Sequence, residues 1–492
     1  MNRRDFLAAA AAGALLTSCA GRTPSTASPV RKAKQNFVFI LTDDLGWRDL
    51  GCFGSTFYET PRIDQLAREG MRFTDAYAAC PVCSPTRASI MTGKYPARMA
   101  TTDWFGAPQP ETAHAHKTGT KPLLPAPYEE QMPRDEITIA EALKMSGYNT
   151  FFAGKWHLGG KDHYPEDQGF EINRGGYEKG SPNSYFSPYK NPKLKDGPDG
   201  EHLPDRLARE SVQFLEDNGN HPFLLYLSFY SVHTPLQGRK DLIEKYEAKA
   251  KQIKFDGPEF LPEGAHQARQ VQNHAVFAAM VEAMDEAVGV VLDALERLGL
   301  EGNTTVFFMA DNGGLSTAEG APTSNVPLRA GKGWLYEGGI RVPMIAKWPG
   351  VTKPGSECCH PVTSTDFYPT MLEMAGVPAR PEQHVDAVSF APLLRGETLP
   401  KDRPLFWHYP HYGNQGAFPG AAVRLGPHKL IEFFEDGHFE MYNLQEDLGE
   451  QHNLFEEMPN YAETLVELLH AWQQEVGARF PTPNPNAAKT GG

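Results

Sequence analysis

A chain of 492 residues, 40% hydrophobic and 22% charged, can bury a large core, which excludes both a disordered polymer and a small scaffold held by staples. A formal charge of −14 with no basic run excludes a nucleic-acid binder working by counterion release. The six cysteines, at 19, 52, 80, 83, 358 and 359, do not suggest a disulfide framework, since adjacent Cys358 and Cys359 pair poorly with each other, and one CxxC without a second argues against structural zinc.

The N-terminus reads MNRRDFLAAAAAGALLTSC, with Arg3 and Arg4 ahead of an Ala-rich stretch too short to span a bilayer as a mature helix. Arg-Arg-x-Phe-Leu resembles a twin-arginine (Tat) export signal, and LTSC ending at Cys19 resembles a lipobox, whose cysteine is acylated after cleavage. Residues 1–19 are expected to be a lipoprotein signal read by the Tat machinery, with an ordinary secretory signal as the alternative. Residues 20–34, rich in Ser, Thr and Pro, read as a flexible tether. The expected location is the bacterial periplasm or cell surface, with membrane contact only through the lipid.

NFVFILTDD is a short apolar run stopping at Asp43 and Asp44, the pattern of a buried parallel strand whose C-terminal end meets a site. TPRIDQLAREG predicts a helix with Thr60 as N-cap, Pro61 in first position and Gly70 as terminator, and TIAEALKMSGY repeats that grammar with a Thr138–Glu141 capping box. YNTFFAGKWH reads as a strand leading to Lys155 and His157, Leu203 to Asp217 as a helix, and PFLLYLSFYSVH as a strand running out at His233. An amphipathic helix from about 274 to 299 precedes TTVFFMADNGG, a strand ending at Asp311 and Asn312. This alternation predicts an α/β domain over 35–380, a large, mostly parallel sheet flanked by helices. From about 380 the texture changes, and 381–492 is expected to be a smaller subdomain, an antiparallel sheet with an Asp436-Gly437 turn and a closing helix near 460–477. Segments 103–135 and 177–202 read as insertion loops, and GKGWLYEGG, which carries Lys332, as a loop between strands.

In an open parallel sheet, ligands bind beyond the carboxyl ends of the strands. Four such ends carry Asp43-Asp44, Lys155-x-His157, His233 and Asp311-Asn312. Three carboxylates and an amide oxygen are hard donors, suited to calcium or magnesium rather than zinc. Singly, each has an ordinary structural reading, as a turn, a surface lysine or a core histidine. Their joint appearance at strand ends is what points to a site.

CSPTRASIMTG, residues 83–93, resembles the signature of the sulfatases, members of the alkaline phosphatase-like superfamily, in which CxPSR directs oxidation of the cysteine to formylglycine. Cys83, Pro85, Thr86, Arg87, Thr92 and Gly93 match, with Thr86 for the commoner Ser and Met91 for the usual Leu. LTDDLGW, TPRIDQLAREG, GKWHLG, SVHTPL, FMADNGG and GKGWLYEGGIRVP resemble further family blocks, in family order, over about 35–480. The resemblance implies calcium, or magnesium in its place, held by Asp43, Asp44, Asp311, Asn312 and the modified Cys83. It implies Arg87 and Lys155 around the hydrated aldehyde and the sulfate, His157 assisting elimination, and His233 with Lys332 at the ester oxygen. A geminal diol solves turnover, because one hydroxyl attacks sulfur and the second expels sulfate, where a serine would stay esterified. A formylglycine-generating enzyme is the implied maturation partner.

Other readings of these residues stay open. Cys83 is also compatible with an inert buried thiol or, with Cys80, a redox pair. A phosphonate or phosphodiester hydrolase of the same superfamily and an inactive glycan-binding homologue are the alternatives at the level of function. For substrate, FWHYPHYGNQGAF, with His408 and His411, is expected to build a carbohydrate pocket, with packing between the domains as an equal alternative. The overall resemblance to arylsulfatase A and N-acetylgalactosamine-sulfatases implies a galactose-type sugar sulfated at O4.

Overall fold

The structure, a computed structural model, describes residues 34–487. The export signal, the tether and Cys19 fall outside the described residues. An eight-stranded sheet forms the centre, from β1 (Asn36–Thr42), β2 (Met71–Phe73), β3 (Asn149–Gly154), β4 (Ile172–Arg174), β5 (Phe223–Ser228), β6 (Thr304–Ala310), β7 (Met344–Lys347) and β8 (Ser356–Cys358). Their order across the sheet is β8-β2-β7-β6-β1-β5-β3-β4. All neighbouring pairs are parallel except the two that β7 makes, with β6 and with β2. β1, β5 and β6 are buried at every position, as central strands covered on both faces must be, and their sequences are accordingly continuous apolar runs.

The expected helices are present, α1 (Pro61–Glu69), α3 (Ile139–Met145), α4 (Leu203–Asn218) and α5 (Ala275–Arg297), and the CSPTR motif opens a further one, α2 (Cys83–Thr92). The Thr138–Glu141 capping box on α3 forms with both reciprocal bonds, 3.1 and 2.8 Å. Thr60 does not cap α1 with its side chain; its hydroxyl binds Asp64 and Gly51 instead. The free N–H groups of α1 are satisfied from α5, where the Asp285 carboxylate accepts from Arg62 and Ile63 at 3.1 and 2.7 Å. A long-range acid thus does the work that sequence reading assigns to a local hydroxyl.

The C-terminal region forms an antiparallel meander of β9 (Leu405–Tyr409), β10 (Gly420–Leu425), β11 (His428–Phe433) and β12 (Phe439–Asn443), with α6 (Pro459–Glu475) packed on β10. Gly437, at φ +77°, takes the left-handed turn position between β11 and β12 that a Cβ would strain. The 103–135 segment is not free-standing: two 3-10 turns lead to Leu123–Leu124, which pairs with Thr482–Pro483 near the far end of the chain. The GKGWLYEGG segment is a loop only as far as Tyr336, because Glu337–Ile340 close one helical turn. The five described cysteines are all unpaired, and no helix among the described residues is long and apolar enough to cross a membrane.

Candidate active site

The strand ends converge as the parallel topology requires. Asp43 and Asp44 follow β1, Lys155 and His157 follow β3, His233 lies beyond β5, and Asp311 and Asn312 follow β6. Asp43, Asp44, Lys155, Asp311 and Asn312 have no exposed surface. Asp44 (φ +60°) and His157 (φ +56°) hold left-handed backbone, an uncommon state for side-chain-bearing residues that turns each away from its strand toward the centre.

Three cations face three carboxylates. Lys155 Nζ donates to Asp43 Oδ2 at 2.6 Å, Arg87 Nε to Asp311 Oδ2 at 2.8 Å, and Lys332 Nζ lies 2.7 and 2.9 Å from the two oxygens of Asp44. Arg87 is further fixed by the Lys155 carbonyl (2.9 Å) and Ser228 Oγ (2.7 Å). Burial opposes ionisation of Asp44, but Lys332, His233 and Lys155 outweigh it and hold that carboxyl below its usual range. For Asp43 burial wins over Lys155, and its carboxyl is raised.

Cys83 opens α2, with Sγ 3.4 Å from His157 Nδ1. His157 Nε2 lies 3.1 Å from the Phe105 carbonyl; since a carbonyl only accepts, Nε2 carries the proton and Nδ1 presents its lone pair to residue 83. Burial, reinforced by Lys155, keeps this imidazole neutral. A Cβ at Gly180 would run into the His157 ring, so a glycine is needed there to let the ring lie flat. The motif's hydroxyl has a bracing role: Thr86 Oγ1 donates to the Cys80 carbonyl at 3.0 Å and accepts from the Cys80 N–H at 3.2 Å, which a serine would do equally. Burial pushes the Cys83 thiol up, so as plain cysteine it is a protonated, weak nucleophile.

The donor set fits a hard divalent cation. Asp43 Oδ1 and Asn312 Oδ1 are buried oxygens without any hydrogen-bond partner, a costly state that a bound cation relieves. Asp43, Asp44 and His233 each bring a ligand atom within 4.8 Å of the others, whereas Asp311 has both oxygens engaged, by Arg87 and by the Asp44 N–H at 3.2 Å, each keeping a second lone pair. Three cations against three carboxylates leave this cluster formally neutral, so a divalent cation would give it an excess of two positive charges toward an anionic ester. Arg87 Nη2 lies 2.8 Å from Asp311 Oδ2 and 3.9 Å from Asp43 Oδ1, so the guanidinium brings its positive charge up against both carboxylates.

Above Cys83 opens a cavity of about 870 Å³. Its walls come from both insertions (Trp104 and Lys121 from one, Lys179 from the other), from His266 at the tip of a small hairpin that pairs Phe260–Glu263 with His266–Arg269, from Glu319 and from Tyr412 to Phe418. The 412–418 segment is where sequence reading placed the pocket, but His408 and His411 do not line it. Alternation along β9 turns His408 with Phe406 toward α6, where it binds the Arg479 carbonyl at 2.8 Å and packs on Phe434 and Phe480. His411 is buried beneath the wall, bound to Thr102 Oγ1 at 2.8 Å and edge-on to Tyr128 and Tyr409. Trp104, Lys121 and Glu319 carry no motif; the one available signal was that insertions in an α/β fold gather over the strand ends.

A family model described as Sulfatase matches residues 35–377, and one described as N-sulphoglucosamine sulphohydrolase, C-terminal, matches 330–476. A sulfatase of Formosa agariphila is 34% identical over 87% of this chain and 85% of its own length. The steryl-sulfatase of Rattus norvegicus is 31% identical (76% of this chain, 72% of that one), and the N-acetylgalactosamine-6-sulfatase of the same species 32% (76% and 68%). A solved structure of Ps i-CgsB in complex with k-i-k-neocarrahexaose superposes with a TM-score of 0.73 at 29% identity, over 92% of this chain and 94% of that one. With a family model covering well over half its length and a relative 34% identical over 87% of it, the chain belongs to the sulfatase family.

Proposed function

We propose that this sulfatase hydrolyses the sulfate ester of a sulfated carbohydrate, with a galactose- or N-acetylgalactosamine-type ring sulfated at O4 as first candidate. The observation that carries the reading is the roomy cavity ending on Cys83, with His157, His233 and Lys332 at its floor, Arg87 and Lys155 buried beneath it, and Trp104, Tyr412, Asn414 and Gln415 on its walls. Flat aromatic faces and amide groups suit sugar rings and hydroxyls. A relative named for a sulfated amino sugar and a solved neighbour holding neocarrahexaose support the same class.

In this reading Cys83 is oxidised to formylglycine by a dedicated maturation enzyme, and the hydrated aldehyde supplies a nucleophile that regenerates itself. Asp43, Asp44, Asp311 and Asn312, with residue 83, would hold calcium, or magnesium in its place, which would supply Lewis-acid charge to the reaction. Arg87 and Lys155 bind and orient the sulfate oxygens. His157 Nδ1 takes a proton from residue 83, the atom it faces at 3.4 Å. His233 Nε2 and Lys332 Nζ sit on the Asp44 side and face the ester oxygen; the Lys332 ammonium, or His233 once the arriving sulfate makes it an imidazolium, returns a proton to the leaving alcohol. Export through the Tat machinery and a lipid on Cys19 would place the enzyme at the outer face of a membrane.

Turnover of a panel of sulfated mono- and oligosaccharides beside 4-nitrophenyl sulfate and 4-nitrophenyl phosphate tests the function. Desulfation of at least one sugar is expected, and turnover of the phosphate alone would move the chain to the phosphoesterase alternative. Mass spectrometry of the tryptic peptide Phe73–Arg87 from active enzyme should show the aldehyde at residue 83. Calorimetric titration with calcium should register a site that Asp43→Asn weakens.

A further inference from the structure

Glu319 is a cavity-lining carboxylate that the chemistry above does not use. It stands in an anion-binding site, where a negative charge works against substrate unless it has a purpose. Its backbone is left-handed (φ +54°), as are those of Gly320 and Ala321 after it, so the loop holds it in a sparsely populated conformation. Its side chain is fixed from two sides. Oε1 accepts from Asn414 Nδ2 and from Gln415 Nε2 at 3.1 Å each, and Oε2 accepts from Thr234 Oγ1 at 3.3 Å. Both supports adjoin the groups at the ester oxygen. Thr234 follows His233, and the Gln415 side chain packs on Gly333, the neighbour of Lys332, so closely that a Cβ there would sit 2.8 Å from Gln415 Oε1. Glu319 therefore faces the part of the cavity where the alcohol half of the ester must lie. An ionised carboxylate has about four acceptor positions, and three of them are taken, which leaves one on Oε2.

We propose that Glu319 is a specificity-determining residue that accepts a hydrogen bond from a free hydroxyl next to the scissile sulfate, and so selects a ring with an unsubstituted vicinal position over one sulfated there. The inference rests on the carbohydrate reading above. A hydroxyl donates to the remaining Oε2 position, whereas a vicinal sulfate cannot donate and meets the carboxylate as a like charge. The site thus combines a positive floor for one sulfate with a negative wall against a second.

The test compares kcat/KM of the matured wild type and Glu319→Gln on three probes: the monosulfated sugar best used in the panel, beginning with galactose 4-sulfate, the same ring with a second sulfate on the adjacent carbon, and the ring lacking that adjacent hydroxyl. Wild type should prefer the monosulfate over both others by about 10- to 100-fold, the range of a hydrogen bond to a charged group. Glu319→Gln should lose a similar factor on the monosulfate and narrow its preference over the disulfate by at least tenfold. Equal losses on all three probes, or a wild type that turns over the vicinal disulfate as readily, would overturn the proposal. The wild-type comparison decides even where the variant folds poorly. Turnover of no sugar sulfate overturns the carbohydrate reading and this inference together, whereas turnover without Glu319-dependent selectivity overturns this inference alone.

Discussion

Beneath the floor of the cavity, Asp43, Asp44, Lys155, Asp311 and Asn312 have no exposed surface, and each charged group is paired with an opposite one within 3 Å. At its walls, Trp104 is 38% exposed, Lys121 is exposed with no carboxylate partner among the described residues, and the lining comes from loops far apart in sequence. The floor stands on strand ends of a rigid sheet, and the walls on insertions and the C-terminal segment. Reaction chemistry needs fixed geometry to within fractions of an ångström, which packed strands supply, while recognition is adjusted on loops whose changes leave the core intact.

That contrast is most sharply tested at Cys83. Its side chain makes one polar contact, to His157, so Cys83→Ala should keep the fold while turnover falls by at least about 10⁴-fold on every sulfate ester, measured as kcat beside thermal unfolding. Retained turnover would show that the floor does not hold the nucleophile.

Next in size, the floor should divide into two halves. In the proposed mechanism Arg87 holds the sulfate, so Arg87→Ala is expected to cost about 10²–10³-fold on sugar and nitrophenyl sulfates alike; it also leaves Asp311 buried without its partner, about 3–5 kcal/mol of stability. In the proposed mechanism Lys332 and His233 act on the leaving oxygen, so the loss from Lys332→Ala or His233→Ala, about 10²-fold on sugars, should shrink about tenfold when nitrophenol leaves. Equal losses on both substrate types for all three variants would erase the division.

A wall substitution should read differently from any of these. Trp104→Ala is expected to raise KM for a sulfated oligosaccharide about 3- to 10-fold with a much smaller change in kcat, the signature of binding made equally in ground and transition states. A fall in kcat as large as that from Arg87→Ala would mean that wall and floor are not separable.

The smallest effect on turnover is expected beneath the wall, where the readout is stability. Burial pushes Asp103 up to about 7, although the Trp104 N–H and Tyr409 hydroxyl donate to it. His411, 3.7 Å away and held down at about 3 by burial and by His408, is neutral across the relevant range, and burial keeps nearby Tyr409, Tyr128 and Cys80 protonated. The folded pKa of Asp103 lies above its ordinary value of 3.8, so its contribution is fully present below about 4 and is lost as pH rises through 7. Asp103→Asn should flatten the fall in melting temperature over that window. An unchanged slope would place the titration elsewhere.

The sequence alone determined the sheet's interior strands, the principal helices and the polar residues at the strand ends, because these follow from local rules. A continuous apolar run forms a covered strand, and Asp, Asn, Lys and His where it stops mark the edge of the sheet that can hold a ligand. Cys83 and Arg87 were legible because their spacing at the start of α2 is local too. Tertiary structure decided what depended on distant partners. Asp285 replaced Thr60 at the start of α1 because two segments more than two hundred residues apart pack together. Alternation along β9, whose register only the meander fixes, sent His408 to the α6 side, and His411 found its partner in Thr102. Glu319 and Trp104 reached the cavity because loops without a pattern of their own fold over the strand ends, and only the packed molecule brings side chains so far apart in sequence around one volume.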